Sequence, residues 1–180
     1  MAQFEWLPLA TPPKNLWSFG VAALILLTLI VVMLPRWRKA VEKRERRVYL
    51  FMSGDGMNKA LWVLISLLAG IGEEVTYRGV MFLLLWQLTG SALVAALIAA
   101  VVFGVSHYVQ GWKSAALIAG FALVFQGLYW ISGSLLAPIL VHFLYDVTAG
   151  VMYNKFAREL GYSTEGIADL GLRNADLEES

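Results

Sequence analysis

Two adjacent carboxylates and an arginine lie inside a segment that is otherwise apolar enough for a lipid bilayer. Glu73 and Glu74 follow ALWVLISLLAGIG, and Arg78 comes four residues after Glu74, just before GVMFLLLW. Residues four apart in a helix share a face, so Glu74 and Arg78 can form an ion pair. Successive helical residues are rotated by about 100°, so Glu73 lies on a different face of the helix from Glu74 and Arg78. The spacing indicates that one glutamate is held by the arginine and the other is left to act as a general base.

The two histidines of the chain, His107 and His142, also lie within apolar stretches. Asp146 follows His142 by four residues, a spacing at which a carboxylate can fix the tautomer of an imidazole. Each ionisable group is costly at mid-membrane, so these groups are expected to face the protein interior and find partners. Counted at 1.5 Å per residue from the ends of their segments, Glu73 and these three residues fall in the same half of the bilayer. We predict that they converge and activate water.

The composition indicates which elements carry these side chains. The chain has 180 residues, of which 59% are hydrophobic and 15% charged, and its mean hydropathy is +0.66. Apolar stretches of about membrane-spanning length recur along it. We therefore predict an all-α polytopic membrane protein with a bundle of about five transmembrane helices, at residues 16–35 and at about 60–88, 91–109, 113–131 and 135–152.

The polar segments set the orientation and the domain limits. The segment RWRKAVEKRERR at 36–47 carries seven Lys/Arg and two Glu, which predicts a cytoplasmic juxtamembrane loop and no nucleic-acid surface. Five spans then leave the N-terminus outside and the C-terminus in the cytoplasm. The predicted organisation is an N-terminal lead at 1–15, a first transmembrane helix at 16–35, a basic cytoplasmic loop at 36–57, a four-helix core at 58–152 and a polar tail at 153–180.

The residue types exclude some chemistries and leave one alternative open. The chain has no cysteine, which excludes disulfides, thiolate metal sites and a cysteine nucleophile. Catalytic zinc takes three protein ligands, and His107, His142 and Asp146 are the set available if Glu73 stays free as the base. A metal-free site does not require three side chains to converge on one ion, so no cofactor is favoured. Zinc is kept as the alternative.

Three motifs in this order resemble those of a known family. EEVTYRG at 73–79 resembles the E-E-x-x-x-R motif of the CPBP (CAAX-protease and bacteriocin-processing, or Abi) intramembrane proteases. FGVSH at 103–107 is similar to the second motif, F-x-x-x-H, and HFLYD at 142–146 to the third, H-x-x-x-N/D. The first motif alone is a weak signal, whereas three in sequence on successive segments are specific.

The resemblance implies a helical bundle with a cytoplasm-facing site that hydrolyses peptide bonds in a bacterial plasma membrane. It implies that Glu73 activates water, that His107 positions this water, and that His142 and Asp146 support the oxyanion. Glu74 and Arg78 would be supporting residues. Better-known eukaryotic relatives have Asn where this chain has Asp146, which donates a hydrogen bond only when protonated and otherwise acts by orienting His142.

The expected partners are the lipid bilayer and a membrane-associated peptide or protein substrate. Two other classes of function stay open on the sequence. One is a non-proteolytic membrane scaffold or immunity protein with the same bundle. The other is a proton-coupled transporter, since buried Glu, His and Asp side chains also relay protons. The absence of inverted-repeat signs argues against the transporter.

Overall fold

The computed structural model describes Pro13, residues 15–43 and residues 56–161, the last with side chains from Lys59 onward, and these parts of the chain are helical without a strand. Most of the predicted N-terminal lead, residues 44–55 of the basic segment and residues 162–180 of the tail lie outside the described residues. The helices are α1 (Trp17–Glu42), α2 (Gly56–Glu74, continuing through a π-helical segment Val75–Met81 into Phe82–Thr89), α3 (Ala92–Ser106), α4 (Trp112–Ser132) and α5 (Leu136–Glu159).

The predicted all-α membrane architecture is confirmed. Within the described residues, four helices are long and apolar enough to cross a bilayer, and α3 is a shorter apolar helix. With 15 residues, α3 is about 22 Å long, less than the hydrocarbon thickness of about 30 Å. A short 3-10 turn at Tyr108–Gln110 follows it before α4 begins. The orientation of the termini stays a prediction.

Short turns connect the helices α2, α3, α4 and α5. Gly90 adopts a positive φ of 68° and Gly133 one of 63°, a conformation that glycine adopts at little steric cost. The Gly90 N–H bonds to the Trp86 carbonyl at 2.9 Å and the Gly133 N–H to the Tyr129 carbonyl at 2.8 Å. These bonds satisfy carbonyls that a helix end would otherwise leave unpaired.

The described residues fall into two compact units. One contains α1 from Leu26, the start of α2 up to Leu67, and α5 from Phe143. Trp37 packs there against the rings of Tyr145 and Tyr153, with centroid distances of 5.4 and 6.2 Å. Of the predicted site residues, this unit contains Asp146.

Two of the predicted boundaries differ from the structure in this unit. The segment from 36 onward, predicted as a loop, is helical as far as Glu42, and the segment from 153 onward is helical as far as Glu159. The reason is that the charged segments also carry apolar residues at helical spacing, which form one core. Its buried members are Trp37, Ala40, Val41, Ala149, Tyr153, Phe156 and Ala157.

The other unit contains Leu68–His142 and the described part of α1 up to Ile25. Small residues bring α3 and α4 close together within it. A Cβ added to Gly104 would lie 2.6 Å from the Ala115 carbonyl oxygen and 2.8 Å from the Ala119 Cβ. Phe103, one residue before Gly104, is buried beside Ala100 and Ala122. This close pairing sets the position of the end of α3, where His107 lies.

Candidate active site

Glu74 and Arg78 form a fully buried ion pair in α2, as their spacing predicts. The distance from Arg78 Nη1 to Glu74 Oε1 is 2.9 Å, and the side chains are 2% and 0% exposed. Arg78 Nη2 donates to the Ala122 carbonyl at 3.1 Å. The guanidinium also lies over the rings of Phe103 and Phe125, 5.0 and 5.6 Å from their centroids. The charge of Arg78 is therefore compensated within the protein and is not available to a substrate.

A π-helical segment follows the two glutamates directly. The helix passes through Gly70 and Gly72 without a break and changes its hydrogen bonding only at Val75–Met81. At the end of this segment the Phe82 N–H bonds to the Tyr77 carbonyl, five residues back. Such wide turns are rare and frequently occur at functional sites. The sequence predicts the continuous helix but not its π-helical segment. A local shift in backbone hydrogen bonding leaves no periodic pattern of apolar residues in the sequence.

His142 faces both glutamates with its two ring nitrogens. Its Nδ1 lies 2.9 Å from Glu74 Oε1, and its Nε2 lies 3.7 Å from Glu73 Oε2. An ionised carboxylate can only accept a hydrogen bond, so Nδ1 carries the hydrogen in this contact. Glu74 thus contacts both Arg78 and His142 through the same oxygen.

His107 reaches Glu73 from the end of α3, for which it is the C-terminal cap. Its Nδ1 lies 2.9 Å from the Phe103 carbonyl oxygen, and its Nε2 lies 4.0 Å from Glu73 Oε2. The Phe103 ring packs on the His107 ring, with 4.7 Å between centroids. The four-residue spacing of F-x-x-x-H therefore places both the ring and the carbonyl of Phe103 against His107.

Glu73 is the carboxylate on which the two imidazoles converge. Its side chain is 32% exposed, compared with 23% for His107 and 11% for His142. Its Oε2 accepts no hydrogen bond from the described residues, although both Nε2 atoms lie within 4.0 Å. A partly exposed carboxylate whose inner oxygen faces two imidazoles can hold a water molecule and take a proton from it.

Asp146 lies one turn after His142 in α5 and is half-buried. Its backbone carbonyl accepts a hydrogen bond from Trp62 Nε1 at 3.2 Å. The i,i+4 spacing predicts that Asp146 fixes the tautomer of His142, but the carboxylate that lies 2.9 Å from Nδ1 of His142 is Glu74. The role of Asp146 at this site stays a prediction.

The arrangement also bears on the zinc alternative. In the described part of the chain, no three His, Asp or Glu side chains are grouped so that they can hold a metal ion. Nδ1 of His142 lies 2.9 Å from Glu74 Oε1. The Nε2 of His142 lies near Glu73. Zinc held by His107, His142 and Asp146 stays the alternative prediction.

A comparison with protein families assigns the chain to one of them. The family model described as type II CAAX prenyl endopeptidase Rce1-like matches residues 56–148, which is just over half of the sequence. The chain belongs to this Rce1-like family. The match contains all of the predicted site residues, from Glu73 to Asp146. No curated protein and no solved structure matches the chain. Membership of the Rce1-like family supports a protease embedded in a membrane.

The structure shows two further polar residues that the sequence did not single out, Gln126 and Ser106. Gln126 of α4 is 3% exposed, and neither its Nε2 nor Glu74 Oε2 has a hydrogen-bond partner among the residues described. Ser106 contacts the ring of His107. A polar residue within an apolar span, as in VFQGL, is the signal that could have identified Gln126. Ser106 gave no signal, because a serine near a helix end is common.

Proposed function

We propose that the protein is an intramembrane endopeptidase that hydrolyses a peptide bond of a membrane-associated protein or peptide with water activated by Glu73. The observation that carries this proposal is the contrast between the two glutamates. Glu74 is fully buried against Arg78, whereas the Glu73 side chain is 32% exposed and has an imidazole nitrogen of each histidine within 4.0 Å. Membership of the Rce1-like family supports the protease activity.

The reaction begins with a water molecule held between Glu73 and His107. As the water oxygen bonds to the carbonyl carbon of the scissile peptide, its proton passes to Glu73 Oε2. The π electrons of the carbonyl move to its oxygen and form the oxyanion. Glu73 then delivers its proton to the peptide nitrogen as the carbon–nitrogen bond breaks. The products are one carboxylic acid and one amine, and Glu73 returns to its ionised form.

His142 is placed to stabilise the oxyanion. With Glu74 at its Nδ1, it can carry a second hydrogen at Nε2 and donate this hydrogen to the developing negative charge. Removing such a donor typically costs about 10²–10³ in rate. Glu74 can compensate the charge of the imidazolium, and Arg78 pairs with the same carboxylate oxygen. The buried pair would therefore support catalysis through His142 without contacting the substrate.

The family description directs the choice of substrate. A CAAX sequence is prenylated on its cysteine and ends three residues later. The prenyl chain would keep such a peptide in the bilayer beside the helices. We propose a lipid-modified C-terminal peptide as the substrate class, cleaved on the cytoplasmic side of a bacterial plasma membrane.

Two assays test this function. The first compares the membrane-associated peptides of cells expressing the wild type with those of cells expressing Glu73→Gln, and we expect a peptide cleaved only in the former. The second offers purified protein a fluorescence-quenched CAAX peptide with and without a farnesyl group, and we expect turnover of the farnesylated form. Identical peptide profiles in the two cell lines, with no turnover of either peptide, would favour the scaffold. Proton flux in proteoliposomes would favour the transporter.

A further inference from the structure

Ser106 contacts the imidazole that positions the attacking water. Its Oγ lies 2.8 Å from the Phe103 carbonyl oxygen and 3.1 Å from His107 Nδ1. His107 Nδ1 lies 2.9 Å from that same carbonyl oxygen. We propose that Ser106 is a positioning residue that holds His107 in the tautomer with hydrogen on Nδ1. The catalytic consequence of this inference rests on the proposed function.

Counting donors and acceptors determines the tautomer. A carbonyl oxygen has only lone pairs, so both groups that contact it must donate. The serine hydroxyl has one hydrogen, which the 2.8 Å contact to the Phe103 carbonyl uses. The single hydrogen on His107 Nδ1 is then shared between the Phe103 carbonyl oxygen and Ser106 Oγ, which both accept it. The opposite tautomer would place the Nδ1 lone pair 2.9 Å from a carbonyl lone pair.

This tautomer leaves a lone pair on Nε2 of neutral His107, 4.0 Å from Glu73 Oε2. One water molecule can donate to two acceptors at this separation, since hydrogen bonds of this kind measure about 2.7–3.2 Å. Both hydrogens of the water are then directed to the protein, and its lone pairs are free to attack a carbonyl carbon. An Nε2–H tautomer would instead donate to the water and occupy a lone pair that the attack needs.

The two histidines are thus given different roles by their Nδ1 partners. His142 faces a carboxylate, Glu74, which compensates an imidazolium. His107 faces a carbonyl and a hydroxyl at its Nδ1, which accept the Nδ1 hydrogen and leave Nε2 as the acceptor. Ser106 adds a second restraint on the ring of His107, so that its Nε2 keeps facing Glu73.

Nitrogen NMR tests the tautomer without any substrate. The chain has only two histidines, so protein labelled with ¹⁵N-histidine gives two imidazole spin systems, assigned with His107→Gln. We expect neutral His107 to carry its hydrogen on Nδ1 in the wild type, and a visible Nε2–H population in Ser106→Ala. A wild-type spectrum with the hydrogen on Nε2 of His107 would overturn the inference.

Turnover of the farnesylated peptide tests the catalytic consequence. We expect Ser106→Ala to lower kcat about 2- to 10-fold with KM unchanged, the effect of one hydrogen bond. Ser106→Thr, which keeps the hydroxyl, should restore kcat, and Val105→Ala at the neighbouring exposed position should leave it unchanged. Unaltered kcat in Ser106→Ala, or an equal loss in Val105→Ala, would contradict the positioning role. If the wild type cleaves no peptide, the proposed function fails, and the spectra still decide the tautomer.

Discussion

At the scale of single residues, the site depends on how two neighbouring glutamates are divided between structure and chemistry. The helical rotation between Glu73 and Glu74 is readable from the sequence, and so is the pairing of Glu74 with Arg78, which the structure confirms. The contact of Glu74 with His142 was not readable, because it joins α2 to α5 across 68 residues. Spacing within one helix cannot report such a contact.

Glu74→Gln should destabilise the protein because it leaves the buried charge of Arg78 without its counter-charge. Breaking a buried pair in this way costs about 3–5 kcal/mol, so we expect a large drop in the thermal unfolding midpoint in detergent. Glu42→Gln is the matched control, since the Arg38–Glu42 pair is about half exposed and such pairs contribute little. Equal midpoints for the two variants would contradict the assigned role of Glu74.

Asp146→Asn distinguishes the metal-free mechanism from the zinc alternative. Asparagine keeps the shape of the side chain and can donate a hydrogen bond, so we expect the variant to retain substantial turnover of the farnesylated peptide. A zinc site would lose an anionic ligand and nearly all activity. Elemental analysis of active purified protein is measured beside the assay. Stoichiometric zinc that tracks activity, together with an inactive Asp146→Asn variant, would overturn the metal-free mechanism.

At the scale of elements, apolar length and turn residues predict the helices well. The five helices and the turns at Gly90 and Gly133 follow from the sequence. Helix ends were less predictable where Trp37 and Phe156 extend α1 and α5 beyond the apolar segments, because charged residues hid the buried face. The π-helical segment at Val75–Met81 is a local change of hydrogen bonding that hydropathy does not detect.

Gly104→Ala should loosen the contact between α3 and α4. The added methyl would overlap the Ala115 carbonyl and the Ala119 side chain, and overpacking of this kind costs about 1–3 kcal/mol. Because His107 follows three residues later, we expect a lower unfolding midpoint together with reduced turnover. In Gly120→Ala the new methyl meets nothing within 4 Å, so stability and turnover should be kept. Wild-type behaviour of Gly104→Ala would contradict the close packing.

At the scale of the whole molecule, cleavage on the cytoplasmic side requires a defined orientation of the protein in the bilayer. The basic segment after the first span predicts an N-terminus outside the cell and a cytoplasmic C-terminus. This prediction assumes that α3 crosses the membrane despite its 15 residues, which requires local thinning of the bilayer or support from its neighbours. Length and hydropathy alone do not determine whether it does.

Cysteine labelling in intact cells tests this topology. The chain contains no cysteine, so Ala2→Cys and Ser180→Cys each introduce a single reactive group, at positions outside the described residues. We expect a membrane-impermeant maleimide to label the first and not the second. Labelling of both would indicate that α3 does not cross the bilayer, and the reverse pattern would invert the orientation.

The turnover of Glu73→Gln decides whether Glu73 is the general base. The variant keeps the size of the side chain and one acceptor oxygen but cannot accept the proton of the attacking water. It is purified, its unfolding midpoint is compared with that of the wild type, and its cleavage of the farnesylated CAAX peptide is measured. We expect the variant to have the unfolding midpoint of the wild type and no detectable cleavage. Full turnover by folded Glu73→Gln protein would contradict the assignment of Glu73 as the general base.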